Sequence, residues 1–69
     1  MPQHLTWDDL EEIAETLAET YPDTAPLDIS FPRLHHLIVT LDAFADDPDA
    51  ATEHRLEAIQ MAWYDITAE

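Results

Sequence analysis

Three glutamates, Glu12, Glu15 and Glu19, recur at three and four residues in a stretch with helical apolar spacing. On a helix such spacing stacks them in one line on one face. Asp8 and Glu11 fall on the same side, within about 100° of arc, so the face is purely acidic. Solvated carboxylates at these spacings bind hard divalent cations such as Fe²⁺, Mn²⁺ and Mg²⁺ through oxygen, with waters completing the shell. Asp46 and Asp47 join Glu12, Glu15 and Glu19 as candidate metal ligands if the fold brings the two groups together. Such a site is weak and unselective. General acid-base catalysis needs a pocket that pushes two carboxyl pKa values apart by burial, and a solvated helix face offers none. His35 and His36 are adjacent, so on a helix they point about 100° apart and share a metal poorly. His4 and His54 read as surface residues. No Ser or Thr is paired with a base by any recognisable motif, so the chain reads as a non-enzyme.

The acidic face belongs to a first helix expected to start at Trp7, with Thr6 as N-cap, Asp9 three residues on, and Leu5 and Leu10 as a hydrophobic staple. Leu10, Ile13, Ala14, Leu17 and Tyr21 form its core stripe, and Pro22 stops it. Residues 23–26 make a connector. Leu27, Ile29 and Phe31 then alternate with Asp28 and Ser30, which predicts a short strand. Pro32 suits the first position of a second helix carrying Leu34, Leu37, Ile38 and Leu41 and running to about Asp42. Residues 41–49, LDAFADDPD, form a Pro-stopped acidic turn. Its Asp46, Asp47 and Asp49 must face water, and its Leu41 and Phe44 must face the core. Thr52 caps a third helix whose stripe is Leu56, Ile59, Trp63 and Ile66. Trp63 is a core aromatic on this pattern, whereas Trp7 flanks the acidic face. Residues 1–4 carry no pattern and are expected to fray.

Sixteen Asp and Glu stand against two Arg, a formal charge of −14 on 69 residues. That excess repels nucleic-acid phosphates and anionic lipid and favours a basic partner. Adaptation to high salt, or plain solubility, would leave the same composition. Apolar residues make up 46% of the chain, enough for one small core. Cysteine and glycine are absent, which removes disulfides, thiolate metal sites and Gly-rich phosphate loops. Without an apolar run of about 20 residues or a signal-peptide pattern, the expected location is the cytoplasm.

The ordered set TWDD, EIAETLAETYPD, RLHHLI, LDAFADDP and LEAIQMAWYD resembles IscX, the family of small acidic proteins of bacterial iron-sulfur cluster assembly. The likeness runs from Leu5 to Asp65. It implies a helical, winged-helix-like domain that binds the cysteine desulfurase IscS, overlaps the bacterial frataxin site on that enzyme, and binds ferrous iron weakly. Asp9, Glu12, Glu15, Glu19 and Asp23 match acidic places of the family's first helix and its exit, and Asp42, Asp46 and Asp47 match acidic places of its turn. The chain departs from the family in carrying Ala43 and Ala45 in the turn, and Leu37 and Val39 where a Trp and a Cys can occur.

Together these observations predict a mainly α protein: one domain over residues 5–69, with three helices, a minor β element and a monomeric state. The expected role is an acidic adaptor that contacts the desulfurase through Asp9, Glu12, Glu15, Glu19, Asp42, Asp46 and Asp47. No tightly bound cofactor is expected. An acidic DNA-mimic occupying a nucleic-acid-binding protein is the alternative, and an iron carrier is a third reading.

Overall fold

A computed structural model describes residues 4–68, so the expected fraying of residues 1–3 lies outside the described residues. Three helices carry the chain: α1 (Leu10–Thr20), α2 (Phe31–Val39) and α3 (Glu53–Thr67). Two single 3-10 turns, Pro26–Asp28 and Pro48–Ala50, stand before α2 and α3. The fold is mainly helical, as expected. Among the described residues there is no strand, and β pairing is reduced to one parallel bridge between Leu5 and Phe44.

The strand expected over Leu27, Ile29 and Phe31 is corrected to a 3-10 turn followed by a helix start. Pro26 opens the turn, the Asp28 N–H donates to the Ala25 carbonyl at 3.1 Å, and Ser30 caps α2 by accepting from the Arg33 N–H at 3.4 Å. Two competing signals, a proline and a serine cap, therefore outweigh three alternating apolar residues. Helix α2 begins one residue earlier than expected, with Phe31 ahead of Pro32, and ends at Val39, short of Asp42. The Leu41 N–H turns to the Ile38 carbonyl at 3.1 Å, and the Thr40 hydroxyl, besides bonding the His36 carbonyl at 2.8 Å, donates at 3.2 Å to the Leu37 carbonyl that a further turn would have used.

The start of α1 is corrected too: the helix opens at Leu10, not Trp7. Thr6 and Asp9 do bond, but in a turn ahead of the helix. The Asp9 carboxylate accepts from the Thr6 N–H at 3.0 Å and from its hydroxyl at 3.2 Å. Thr52 caps α3 as the sequence predicts, accepting from the Arg55 N–H at 3.2 Å.

The core is built by the predicted stripes. Ile13, Ala14 and Leu17 of α1, Leu34, Leu37 and Ile38 of α2, and Leu56, Ile59 and Trp63 of α3 are buried together with Leu5, Trp7 and Leu41. Helix α3 packs on both other helices and most extensively on α1. The Cα atoms span 28 × 28 × 16 Å, the thinnest dimension being that of two packed helix layers. Trp63 is fully buried with its indole N–H unpartnered, a desolvation cost of about 1–3 kcal/mol. Its ring contributes more than that, since emptying such a site costs about 3–5 kcal/mol.

Candidate functional site

Glu12, Glu15 and Glu19 are all exposed on α1, and they line one shallow groove with Thr16. Glu12 and Glu15 also border a second groove with Asp8, Asp9 and Glu11. At the other end Thr16 is shared with a depression walled by Thr20, Tyr21, Thr40 and Asp42. The predicted residues Glu12, Glu15, Glu19 and Asp42 thus lie along one continuous strip. The described residues supply one ion pair, Arg55 to Asp8 at 2.9 Å, and none of the three glutamates takes part in it. Like charges at i,i+4 cost a few tenths of a kcal/mol per pair, and the ladder has no lysine to offset them.

Asp9 has a different employment. Half buried, it spends one carboxylate oxygen on the N–H and hydroxyl of Thr6 and holds the turn that leads into α1. Asp23 lies beyond the end of the helix, exposed on the connector.

The acidic turn at residues 46–49 meets the N-terminal end of the strip, and Trp7 fixes it there. The Trp7 N–H donates to one Asp46 carboxylate oxygen at 3.1 Å, and its indole Nε1–H donates to the Asp47 carbonyl at 2.7 Å. His35 stacks on the indole at 5.9 Å between centroids, with its Nε2 against the Pro48 carbonyl, and Phe44 meets the same indole edge-on at 4.9 Å. The Leu5 N–H donates to the Ala43 carbonyl at 2.8 Å and the Ala45 N–H to the Leu5 carbonyl at 2.9 Å, tying the preceding residues to the same segment. Leu41 is buried, Phe44 half buried, and Asp47 and Asp49 exposed, as the turn's composition requires, whereas Asp46, also expected to face water, is half buried because its carboxylate is taken up by the Trp7 and Asp47 N–H groups.

Asp46 is the carboxylate most committed to the fold. Its second oxygen accepts from the Asp47 N–H at 2.7 Å. The Trp7 and Asp47 N–H groups hold its pKa below the ordinary 3.8, with a smaller contribution from the Arg55 guanidinium, against a weak opposing effect of burial. Asp47 in turn accepts from the Asp49 N–H at 3.0 Å, an Asx turn that sets up the 3-10 segment. These roles of Trp7, His35 and Asp46 depend on contacts across about half the chain. The local signal for them was the Asp-Asp-Pro-Asp run itself, which marks an Asx turn but not its tether.

The structure does not bring the five predicted metal ligands together. Among the described residues no three His, Asp or Glu side chains are grouped closely enough to hold a metal ion. Glu12, Glu15 and Glu19 run along α1, and Asp46 and Asp47 are tethered at Trp7. No helix of the described residues is long and apolar enough to cross a membrane.

Residues 5–68 match the family described as iron-sulphur cluster assembly. A protein of Pseudomonas aeruginosa, itself described as uncharacterized, is 44% identical over 59 residues, which cover 86% of this chain and 89% of that protein. The match takes in the whole strip, the tethered turn and all three helices, and it places the chain in cluster assembly, a role the DNA-mimic alternative does not share. The chain belongs to the IscX family of iron-sulphur cluster assembly proteins.

Proposed function

We propose that this protein is an acidic adaptor of iron-sulphur cluster assembly that docks on a basic patch of the cysteine desulfurase IscS. The observation that carries this reading is the unneutralised line of Glu12, Glu15 and Glu19, continued by Asp42 at one end and by Asp47 on its tethered turn at the other. A helix that needed only to pack would gain nothing from three solvated like charges in register. Charge of one sign arrayed on one side raises the rate of encounter and orients a basic partner. In this reading the protein competes with bacterial frataxin for the same patch. Ferrous iron is cargo held loosely by one or two carboxylates, with waters completing its shell.

The test is a triple reversal of Glu12, Glu15 and Glu19 to Lys beside a control reversal of Glu53, Glu57 and Asp65, three exposed carboxylates of α3, with the same change in net charge. The α1 triple is expected to abolish desulfurase binding and the α3 triple to weaken it mildly. Equal weakening by both would reduce the strip to bulk charge and end the proposal.

A further inference from the structure

A second surface, sharing no lining residue with the acidic strip, lies between the connector after α1 and the last turns of α3. Here Asp23, Pro26, Leu27 and Asp28 face Tyr64 and Thr67 across a groove of about 510 Å³. The large hydrophobic side chains left exposed among the described residues gather in this part of the molecule. Leu27 is 54% exposed and Tyr64 39%, and Met61, at 46%, precedes Tyr64 by one turn of the same helix. Single exposed apolar side chains are ordinary, but a cluster flanking a groove is a mark of recognition.

The connector wall is fixed in place. Gln60 of α3 donates its side-chain N–H to the Pro26 carbonyl at 2.8 Å, and Pro26 itself is buried. The Thr24 N–H donates to the Tyr21 carbonyl at 3.2 Å, so the segment is held from both ends. A preformed wall spares an incoming ligand the cost of ordering it.

We propose that this groove docks a short basic segment of a partner protein, one that places an aliphatic or aromatic side chain between cationic ones. The volume falls in the range of sites that take a few side chains, not a globular face. Its rim carries the carboxylates of Asp23 and Asp28, Asp65 follows Tyr64, and no cationic side chain lines it. A second copy of the chain is opposed by that rim and by a charge of −14 on each molecule, because a two-fold contact would set the same carboxylates face to face. This inference stands apart from the desulfurase reading, since the residues differ.

Amide NMR titration with two capped hexapeptides tests it, one alternating Lys with Leu and the other alternating Lys with Ser at equal charge. The Lys-Leu peptide is expected to shift the amides of Ala25, Leu27, Asp28, Tyr64 and Thr67 and to bind at least about five-fold more tightly than the Lys-Ser peptide. Tyr64→Ala and Leu27→Ser, both at exposed positions, should each remove that advantage, and Asp28→Asn should weaken both peptides. Equal affinity of the two peptides, or shifts confined to the Glu12, Glu15 and Glu19 face, would overturn the proposal. So would concentration-dependent sedimentation abolished by Tyr64→Ala, which would assign the groove to a second copy.

Discussion

The backbone N–H of Trp7 and the carboxylate of Asp46 are joined at 3.1 Å across 39 residues of chain. The same tryptophan donates its indole N–H to the next residue's carbonyl, so one side chain and its own backbone grip two consecutive positions of the acidic turn. The hydrophobic core thereby sets where an exposed carboxylate, that of Asp47, stands.

Replacing Trp7 by Phe keeps an aromatic ring against His35 and Phe44 and removes the donor to the Asp47 carbonyl. A lost hydrogen bond and a smaller ring together are expected to cost about 1–2 kcal/mol. In a domain of this size each kcal/mol lowers Tm by about 4–8 °C. Thermal melting checks the magnitude, and faster amide exchange at Asp47 and Asp49 checks the place. Unchanged exchange there would show that the indole bond does not hold the turn.

Asp46→Ala removes the acceptor for both the Trp7 and the Asp47 N–H. The Asp46 pKa is lowered in the folded state, so its stabilisation is fully present above the ordinary carboxylate value near 3.8 and is lost as pH falls through the folded value below it. The Tm gap between the wild-type protein and Asp46→Ala is therefore expected to be constant from pH 7 to about 5 and to close below about 4. Measuring the gap cancels the relief of general repulsion that both proteins gain on acidification. A gap indifferent to pH would mean that the charged form of Asp46 contributes nothing special.

Desulfurase binding should fall steeply with salt. Between 50 and 500 mM the screening length shrinks from roughly 14 to 4 Å, and an encounter driven by exposed carboxylates loses most of its steering. Calorimetry or surface-based kinetics at several ionic strengths reads this as a decline in association rate. An affinity that ignores salt would contradict an electrostatic contact.

Divalent metal should bind in patches instead of at one centre, because Glu12, Glu15 and Glu19 are not gathered with Asp46 and Asp47. Titration with Mn²⁺ is expected to broaden amides along α1 and, independently, around Asp47. Fe²⁺ should show only a modest preference, since oxygen ligands on a solvated face impose little geometry. Glu15→Gln should then reduce broadening on α1 and leave the turn unaffected. Loss at both places together would reveal a shared site.

The helical stripes were readable because burial follows period: Ile13 and Leu17, Leu34 and Ile38, and Ile59 and Trp63 are fully buried where the spacing puts them. The reading failed where distant contacts outweigh local ones. Trp7 fits a helix start by position, yet its ring is drawn into the core by Phe44 and His35, leaving Leu10 to open the helix. Leu27, Ile29 and Phe31 alternate as a strand would, but the Pro26 turn, the Ser30 cap and the Gln60 tether impose another course. The absence of glycine was informative in a positive sense. No described residue has positive φ, and helix ends are closed instead by Pro22 after α1 and by the hydroxyls of Thr40 and Thr67. At the candidate site, the strip was legible as a pattern on one helix, whereas the turn's anchorage was not, since nothing near Asp46 in sequence names Trp7.

The thinnest dimension of the fold, 16 Å between Cα extremes, has an electrical meaning. At physiological ionic strength a screening length is about 8 Å, so the two broad faces lie about two such lengths apart. A partner near one face in the cell then senses chiefly that face. In dilute buffer the screening length grows to about 30 Å at 0.01 M and exceeds the plate's thickness, so the molecule presents itself from every side as one undivided anion. Low-salt experiments will therefore gather basic proteins without regard to orientation, and only near cellular salt does the side on which Glu12, Glu15 and Glu19 stand begin to select among them.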